Sequence, residues 1–343
     1  MGYGQPGGYW QAPKPGIIPL RPVGVGEILN GAFTSIRLNP KATLGLAAIL
    51  MVISGVVSGA VGIIAVHGLH QLDIQPGQQL TGAQVRHVFA YLVPTYLVSA
   101  LLAFLVAEVL TGMLTAVIGR SVLGQKLSIG GAWRTALPRL PAIIGATLLY
   151  GLIIAGCLIV YGGIGLLLVV THTPPGAYIT YFVLGFIAMA CAVVWLGVSF
   201  CLSVPVVVLE RQGPVRALAR SWRLVRGTWW RVFGIVLLGL VIVAAAGFVI
   251  EIPFELAGAA TGFGSLSSPG SVSLVGTVIA TVGSVIAGAV TRPVAAGVTV
   301  LLYVDLRMRK EGLDLVLQTA ARNQYAEGEE FAAAWRPPSP GQL

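Results

Sequence analysis

Two charged residues, Glu108 and Arg292, lie inside long apolar stretches of this 343-residue chain. A charge at bilayer depth is costly and usually faces a charged partner or a watery cavity. Glu108 lies 12 residues before Arg120, and Arg292 lies 13 residues before Asp305. On helices that run in the same direction the two charges therefore sit at similar depth, about 18 to 20 Å from the inner surface. We predict a buried ion pair between them, which either clasps two helices or relays protons or ions.

Two further groups of side chains have the spacing of cation ligands. Glu251 and Glu255 are four residues apart and share a helix face, where they either hold a cation or lie exposed at the outer interface. His67, His70 and Asp73 recur every three residues, a spacing found both in metal sites and in solvated loops. We expect neither a metal nor a cofactor.

Motifs for catalysis are sparse. The stretch from Gly197 to Phe200, GVSF, lacks the second glycine of a nucleophile elbow. The sequence contains no phosphate-binding loop, HExxH or CxxC motif. We therefore expect a protein that is not an enzyme.

The elements that carry these residues are predicted from composition and apolar runs. Hydrophobic residues make up 56% of the chain and charged residues 10%, against about 45 to 50% and about 25% in soluble domains. The chain is predicted to be an all-α, polytopic membrane helical bundle with six transmembrane helices and cytoplasmic interfacial helices. Pro94, Pro205 and Pro293 are candidate kinks. The six apolar runs, each long enough to span a bilayer, lie near residues 43–66, 91–118, 142–170, 179–209, 232–256 and 273–304.

The distribution of basic residues predicts the orientation. Nineteen of the 21 Lys and Arg residues lie before the first run, between the second and third, between the fourth and fifth, or after the sixth. Excess positive charge stays cytoplasmic, so we expect a protein of the cell membrane with both termini in the cytoplasm. Because these residues lie in short segments rather than on one water-facing domain, the net charge of +9 does not indicate a nucleic-acid partner.

The ends of the chain differ in composition from the middle. Residues 1–19 are rich in Gly, Pro and aromatic residues without an apolar period, which predicts a disordered cytoplasmic tail. Residues 20–318 form the predicted six-span domain, and residues 319–343 a cytoplasmic C-terminal tail.

A weak internal repeat precedes the odd-numbered spans. In each copy a glycine follows an aromatic residue twelve positions later: Phe33 and Gly45, Trp133 and Gly145, and Trp222 and Gly234. We predict three units, each a cytoplasmic interfacial helix followed by a helical hairpin.

The segment from Pro214 to Arg231 has apolar residues at helical spacing and arginines on another face. Such a helix lies flat on a membrane, with its apolar side in the acyl boundary and its arginines at phosphate groups. It either only sets the topology or docks anionic lipids or a protein partner. The predicted membrane-surface basic residues are Arg134, Arg139, Arg216, Arg220, Arg223 and Arg226.

The end of the last span alternates in charge. Arg307 with Glu311, and Lys310 with Asp314, are spaced four residues apart. Such pairs stabilise a helix, so we predict a helical stub that packs against the basic interfacial helices.

Three stretches resemble one family: residues 21–33, residues 213–230 with the sequence SWRLVRG at 221–227, and residues 303–315. They are similar to an actinobacterial membrane-protein family known as the glycerophosphoryl diester phosphodiesterase membrane domain. The resemblance implies the same membrane architecture over about residues 20–318. The family name comes from fusion to a soluble barrel of about 250 residues, and too few residues follow the last span for one here. Asn30 also stands where the family usually has an acid. We therefore expect the architecture without the phosphodiesterase activity.

Three functions are compatible with these patterns. The first is a non-catalytic membrane protein that scaffolds a partner or organises lipids through its basic cytoplasmic segments. The second is a small-solute or ion transporter that uses Glu108 and Arg292. The third is an intramembrane enzyme acting on lipid.

Overall fold

The structure, a computed structural model, describes residues 14–70, 81–171, 174–263, 274–322 and Trp335. Within these ranges all regular structure is helical, and six segments are long and apolar enough to cross a membrane. The predicted all-α bundle is therefore confirmed. In chain order the helices are α1 (Val25–Leu38), α2 (Pro40–His70), α3 (Gly82–Val122), α4 (Ile129–Ala136), α5 (Leu140–Val170), α6 (Pro175–Phe200), α7 (Ser203–Leu209), α8 (Pro214–Val225), α9 (Trp229–Phe263), α10 (Leu274–Glu311) and α11 (Leu313–Arg322).

The fourth span is divided into α6 and α7 at Cys201 and Leu202. Pro205 lies four residues after Cys201, so it cannot donate to the Cys201 carbonyl and its ring would clash with that group in a continuous helix. The predicted irregularity at Pro205 is therefore present, whereas α3 and α10 continue through Pro94 and Pro293.

The helices follow the order that the sequence repeat predicts. Unit 1 comprises α1, α2 and α3; unit 2 comprises α4, α5 and α6–α7; unit 3 comprises α8, α9 and α10. Each unit is a short helix followed by two long helices.

The three units form a closed ring. The second long helix of each unit packs against the first long helix of the next: α3 against α5, α6 against α9, and α10 against α2. The second long helices also contact one another, because α3 packs against α7 and α10. We call the second long helices of the units (α3, α6–α7 and α10) the inner helices and the first long helices (α2, α5 and α9) the outer helices. The inner helices are accordingly more enclosed: 44% to 56% of the most apolar part of each inner span is buried, against 11% to 22% for each outer span.

The short helices continue this cyclic pattern. Each packs on the inner helix of the preceding unit: α4 on α3, α8 on α7, and α1 on α10. Glycines allow some of these contacts, since a Cβ on Gly297 of α10 would lie 2.8 Å from the Cβ of Ala32 in α1. In units 1 and 2 the glycine of the repeat lies against the first residue of the short helix of the next unit. Gly45 of α2 lies against Ile129 of α4, and Gly145 of α5 lies against Pro214 of α8.

Each inner helix ends at or near a residue in the left-handed region. These residues are Gly124 after α3, Arg211 after α7 and Gly312 after α10, with φ of 75°, 57° and 62°. A left-handed residue ends a helix and turns the chain, and glycine adopts this conformation without steric cost. Arg211 adopts it despite its Cβ.

The hydrophobic core lies in one half of the bundle, which we call the packed half. The buried hydrophobic residues of α2 lie in 42–51, those of α3 in 110–122, those of α6 and α7 in 198–209, and those of α10 in 287–308. This half is the one that carries the short helices and most of the basic residues.

Both predicted tails contribute residues to this core, which corrects their boundaries. Ile17 and Ile18 are buried, and the Ile17 N–H donates to the Ser121 carbonyl at 3.2 Å. Residues 14–19 are therefore packed against the end of α3 rather than disordered. Trp335, inside the predicted C-terminal tail, is also fully buried. Apolar side chains at these positions cover the packed half, which explains their order.

In the other half, which we call the open half, the inner helices α3 and α6 touch little besides their own hairpin partners. On α6 the partly covered residues Tyr181 and Gly185 lie four apart, on the face that meets Tyr161 of α5. The residues between them are exposed, and Phe186 is 69% exposed. On α3 only positions 95, 99 and 103 between residues 93 and 104 are partly covered. Helices α2 and α10 also remain close across units, where Gly55 meets Val285.

Candidate functional site

The packed half contains a buried cluster of charges around Glu210, which ends α7 and is 3% exposed. Arg220 of α8 donates from Nε to the Glu210 carboxylate at 3.1 Å, and the Tyr303 hydroxyl donates to the same carboxylate at 2.9 Å. Arg307 donates to the Tyr303 hydroxyl at 3.1 Å and to Glu311 at 2.9 Å. We call these five residues the Glu210 cluster.

The Glu210 cluster is balanced in charge, with two guanidinium groups and two carboxylates. Arg220 closes it by a second ion pair to Glu311, at 2.6 Å. Burial alone lowers the pKa of the Arg220 guanidinium, but the hydrogen bonds and charges of Glu311 and Glu210 together raise it above its ordinary value. The cluster thus joins α7, α8 and α10 through buried ion pairs and hydrogen bonds.

A second cluster surrounds Asp305, whose side chain is fully buried. Its carboxylate accepts from Arg309 at 2.9 Å, from Arg231 at 2.8 Å and from the Val23 N–H at 2.9 Å. Both arginines also donate to the Val23 carbonyl, at 2.9 and 3.1 Å. This Asp305 cluster joins α9 and α10 to the segment that precedes α1.

Trp335 extends the first cluster, because its carbonyl accepts from Arg307 at 2.9 Å. The predicted pair of Arg307 with Glu311 is confirmed. Lys310 does not pair with Asp314 among the described residues. Its ammonium instead donates at 2.7 Å to the carbonyls of Leu224, in the last turn of α8, and Arg226, which caps that helix. A cation at a helix C-terminus satisfies free carbonyls and opposes the helix dipole.

The predicted membrane-surface arginines separate into two groups. Arg220 belongs to the Glu210 cluster, so its assignment to the membrane surface is wrong, and Arg139 is half-buried. The remaining residues are exposed: Arg134, Arg216, Arg223 and Arg226.

The apolar face of α8 packs on protein rather than in the acyl boundary. Leu218 and Val225 are buried, and the Trp222 ring lies edge-on to Trp195 of α6 at 4.7 Å. An amphipathic pattern is the same whether its apolar face meets lipid or a neighbouring helix. The predicted interfacial helix is therefore present, but it is anchored to the bundle.

Glu108 lines a cavity of about 250 Å³ at the boundary between the packed and open halves. Helices α3, α5, α6–α7 and α10 all contribute to its wall, which includes Tyr150, Cys201, Ser203 and Thr299. Within the described ranges Glu108 makes no hydrogen bond or ion pair. The cavity thus presents one carboxylate beside hydroxyl and thiol groups.

The predicted ion pair between Glu108 and Arg292 is not formed in the described part of the chain. The two side chains line different cavities. Arg292 projects from the side of α10 that faces α2 and α9, whereas Glu108 faces α5 and α7. Thr299 of α10, two helical turns after Arg292, lines the Glu108 cavity, so the two charges differ in depth as well as in the helix face they occupy.

Arg292 instead shares a groove of about 480 Å³ with Glu251. Helix α10 forms the floor of this groove and α2 and α9 form its walls. We call it the Arg292 groove. Glu255, the other predicted outer carboxylate, is exposed and does not line the groove.

The predicted histidine site cannot be placed. The side chains of His67 and His70, as well as Asp73, lie outside the described residues. Among the residues whose positions are described, no group of three or more His, Cys, Asp or Glu side chains has the arrangement of a metal site.

Glu210 and Tyr303 are the main residues that the sequence analysis missed. Glu210 is the only acid between residues 203 and 231, and an isolated acid beside many arginines is a usable signal of an ion pair. Tyr303 lies one helical turn before Arg307, which is the only local indication of their contact.

Comparisons with known proteins give one match. No curated protein and no solved structure matches the chain. A family model described as a domain of unknown function (DUF7847) matches residues 24–306, which covers α1 to α9 and α10 as far as Leu306.

Proposed function

Because the chain belongs to the DUF7847 family, whose description gives no activity, we propose from its geometry that it is a non-catalytic membrane protein that binds and organises lipids. We place it in the cell membrane with both termini in the cytoplasm. In this orientation the packed half is cytoplasmic and the open half faces the outer leaflet.

The exposure of the inner helices α3 and α6 in the open half is the observation that carries this proposal. A helix surrounded by protein in one half and by lipid in the other provides lipid-accessible space inside the ring. The two buried charge clusters fix the other half, because breaking a buried ion pair costs several kcal/mol. A rigid base that holds separated hairpins suits a protein that accommodates lipid molecules between them.

The charge distribution supports a preference for anionic lipids. Arg134, Arg216, Arg223 and Arg226 are exposed at the packed end, and each basic residue near an anionic leaflet contributes about 1 kcal/mol. A groove of about 820 Å³ between α6 and α9, lined by aromatic residues including Trp195 and Trp230, lies at the same end. Tryptophans at this depth are typical of a membrane interface.

The test is the lipid composition of the chain extracted from its native membrane in polymer discs. We expect the discs to be enriched in anionic lipid relative to the whole membrane. Replacing Arg216, Arg223 and Arg226 by Gln should remove most of the enrichment, whereas Arg86→Gln, at the opposite end of α3, should preserve it. Discs with the composition of the whole membrane would contradict the proposal.

A partner-scaffolding role belongs to the same proposal. The resemblance to membrane domains that are fused to a soluble enzyme supports a chain that holds a cytoplasmic protein at the membrane. Identification of proteins that co-purify in the same discs tests this role.

Transport of a small solute or ion is the second candidate, and the Glu108 cavity is the observation that favours it. Lipid organisation predicts that Glu108→Gln leaves solute and proton flux in proteoliposomes unchanged. A transporter should lose coupled flux in this variant while its thermal unfolding temperature stays close to that of the wild type.

A further inference from the structure

The Arg292 groove combines two opposite charges with several hydroxyl groups. Arg292 of α10 and Glu251 of α9 both line it, and Ser54, Ser58 and Ser284 lie along its length. Among the residues that the structure describes, neither charged side chain makes a hydrogen bond or an ion pair. A guanidinium and a carboxylate at membrane depth normally have counter-ions, so the groove has the chemistry of a site for a molecule that carries both charges.

The spacing of the two charges follows from the packing of α9 on α10. A Cβ on Gly247 would lie 3.9 Å from Thr291, and a Cβ on Gly283 would lie 2.5 Å from Phe254. In this antiparallel register Arg292 is level with about residue 246 of α9. Glu251 is then roughly 8 Å closer to the open end, at 1.5 Å per residue.

The groove opens sideways toward lipid. Leu240 and Phe248 of α9 line it and are 61% and 67% exposed. Leu240 lies on the side toward the packed half and Glu251 on the side toward the open end. A phospholipid of the open-half leaflet has the same order of groups, with the ammonium outermost, the phosphate next and the acyl chains toward the bilayer centre.

We propose that the Arg292 groove binds a phospholipid with a phosphoethanolamine headgroup, an inference that rests on the proposed lipid-binding function. The guanidinium of Arg292 pairs with the phosphate, a geometry that permits two parallel hydrogen bonds. The carboxylate of Glu251 accepts hydrogen bonds from the primary ammonium group at the end of the two-carbon link. The volume of about 480 Å³ lies within the range of small-molecule sites, about 300 to 1,000 Å³.

This pairing predicts discrimination between headgroups. A choline headgroup carries the same charges, but its methylated nitrogen has no N–H to donate to Glu251. A glycerol headgroup has the phosphate for Arg292 and lacks the cation. Hydrogen bonds to charged groups contribute enough for about a tenfold difference in affinity, so ethanolamine lipid should bind about ten times more tightly than either.

The experiment measures bound lipid by native mass spectrometry of the detergent-solubilised wild-type chain, titrated with ethanolamine, choline and glycerol phospholipids of identical acyl chains. We expect one ethanolamine lipid to be retained about tenfold more tightly than the others. Equal retention of all three lipids would overturn the proposal, and this comparison needs no variant to fold.

Variants then locate the site. Arg292→Gln should weaken binding of all three lipids, and Glu251→Gln should remove only the preference for ethanolamine. Glu255→Gln, one helical turn away and outside the groove, is the matched control and should bind as the wild type does. Binding that is unchanged in both groove variants would show that the lipid lies elsewhere.

A final competition experiment tests whether the groove binds a lipid or a water-soluble zwitterion. Water-soluble phosphoethanolamine should displace the lipid only weakly, because it lacks the acyl chains. Displacement as effective as that by the lipid would reassign the groove to a small solute. If anionic enrichment in native discs persists while the ethanolamine preference is absent, only the inference about this groove fails and the general function stands.

Discussion

Removing the Glu210 carboxylate is the perturbation that most directly tests the role of the packed half. Glu210→Gln keeps the shape of the side chain and deletes one of two balancing negative charges. Arg220 and Tyr303 both donate to this carboxylate, and Arg307 lies 3.8 Å from it. Because the side chain is fully buried, we expect the free energy of unfolding to fall by about 3 to 5 kcal/mol, as for other broken buried ion pairs.

The matched control is the same substitution in an exposed pair. Glu27 pairs with Arg21 at 2.7 Å, and the two side chains are 36% and 52% exposed. Glu27→Gln should therefore cost less than about 1 kcal/mol. Equilibrium unfolding in mixed micelles, followed by tryptophan fluorescence, measures both free energies.

A double variant separates charge imbalance from lost packing. Adding Arg220→Gln to Glu210→Gln restores the balance and leaves the pair of Arg307 with Glu311 intact. The double variant should be less destabilised than the sum of the two single variants. Equal losses in Glu210→Gln and Glu27→Gln, or strict additivity in the double variant, would refute the view that the Glu210 cluster holds the helices together.

Three further predictions concern the backbone and the core. Arg211→Gly should stabilise the chain by about 1 kcal/mol relative to Arg211→Ala in the same unfolding assay, because glycine adopts φ of 57° without strain. Gly297→Ala should destabilise the chain by about 1 to 3 kcal/mol, because the new methyl group meets Ala32 of α1. Its control is Gly234→Ala, where a Cβ has no neighbour within 4 Å. This control should be neutral or stabilising by up to about 1 kcal/mol. Ile18→Ala should cost about 2 to 5 kcal/mol if residues 14–19 belong to the core, and an unchanged midpoint would restore the predicted disordered tail.

The sequence predicts the number and order of helices because a spanning helix leaves a strong local signal of length and apolarity. The six runs, the short helices before the odd spans and the pair of Arg307 with Glu311 all depend on residues close together in the chain. Local chemistry therefore determines them.

The rotation of each helix is not predictable in the same way. Lipid and protein core are equally apolar, so a span such as α5 has no polar face to indicate which side is covered. This is why Glu108 and Arg292 were assigned to one site, and why α8 was assigned to the membrane surface.

Contacts between residues that are far apart in the chain are also not predictable from the spacing of residues in the sequence. Tyr303 and Glu210 are 93 positions apart, and nothing in the spacing of either residue indicates the other. The threefold ring is the exception, since the repeat of Phe33, Trp133 and Trp222 indicates three equivalent units before any contact is known.

The most direct measurement of the lipid-organising account is a cryo-electron microscopy map of the chain in discs of native lipid. The account predicts ordered lipid density against the inner helices α3 and α6 in the open half, with the α5–α6 hairpin separated from its neighbours and the Glu210 cluster closed. Inner helices that contact one another along their full length, with no lipid between the hairpins, would contradict it.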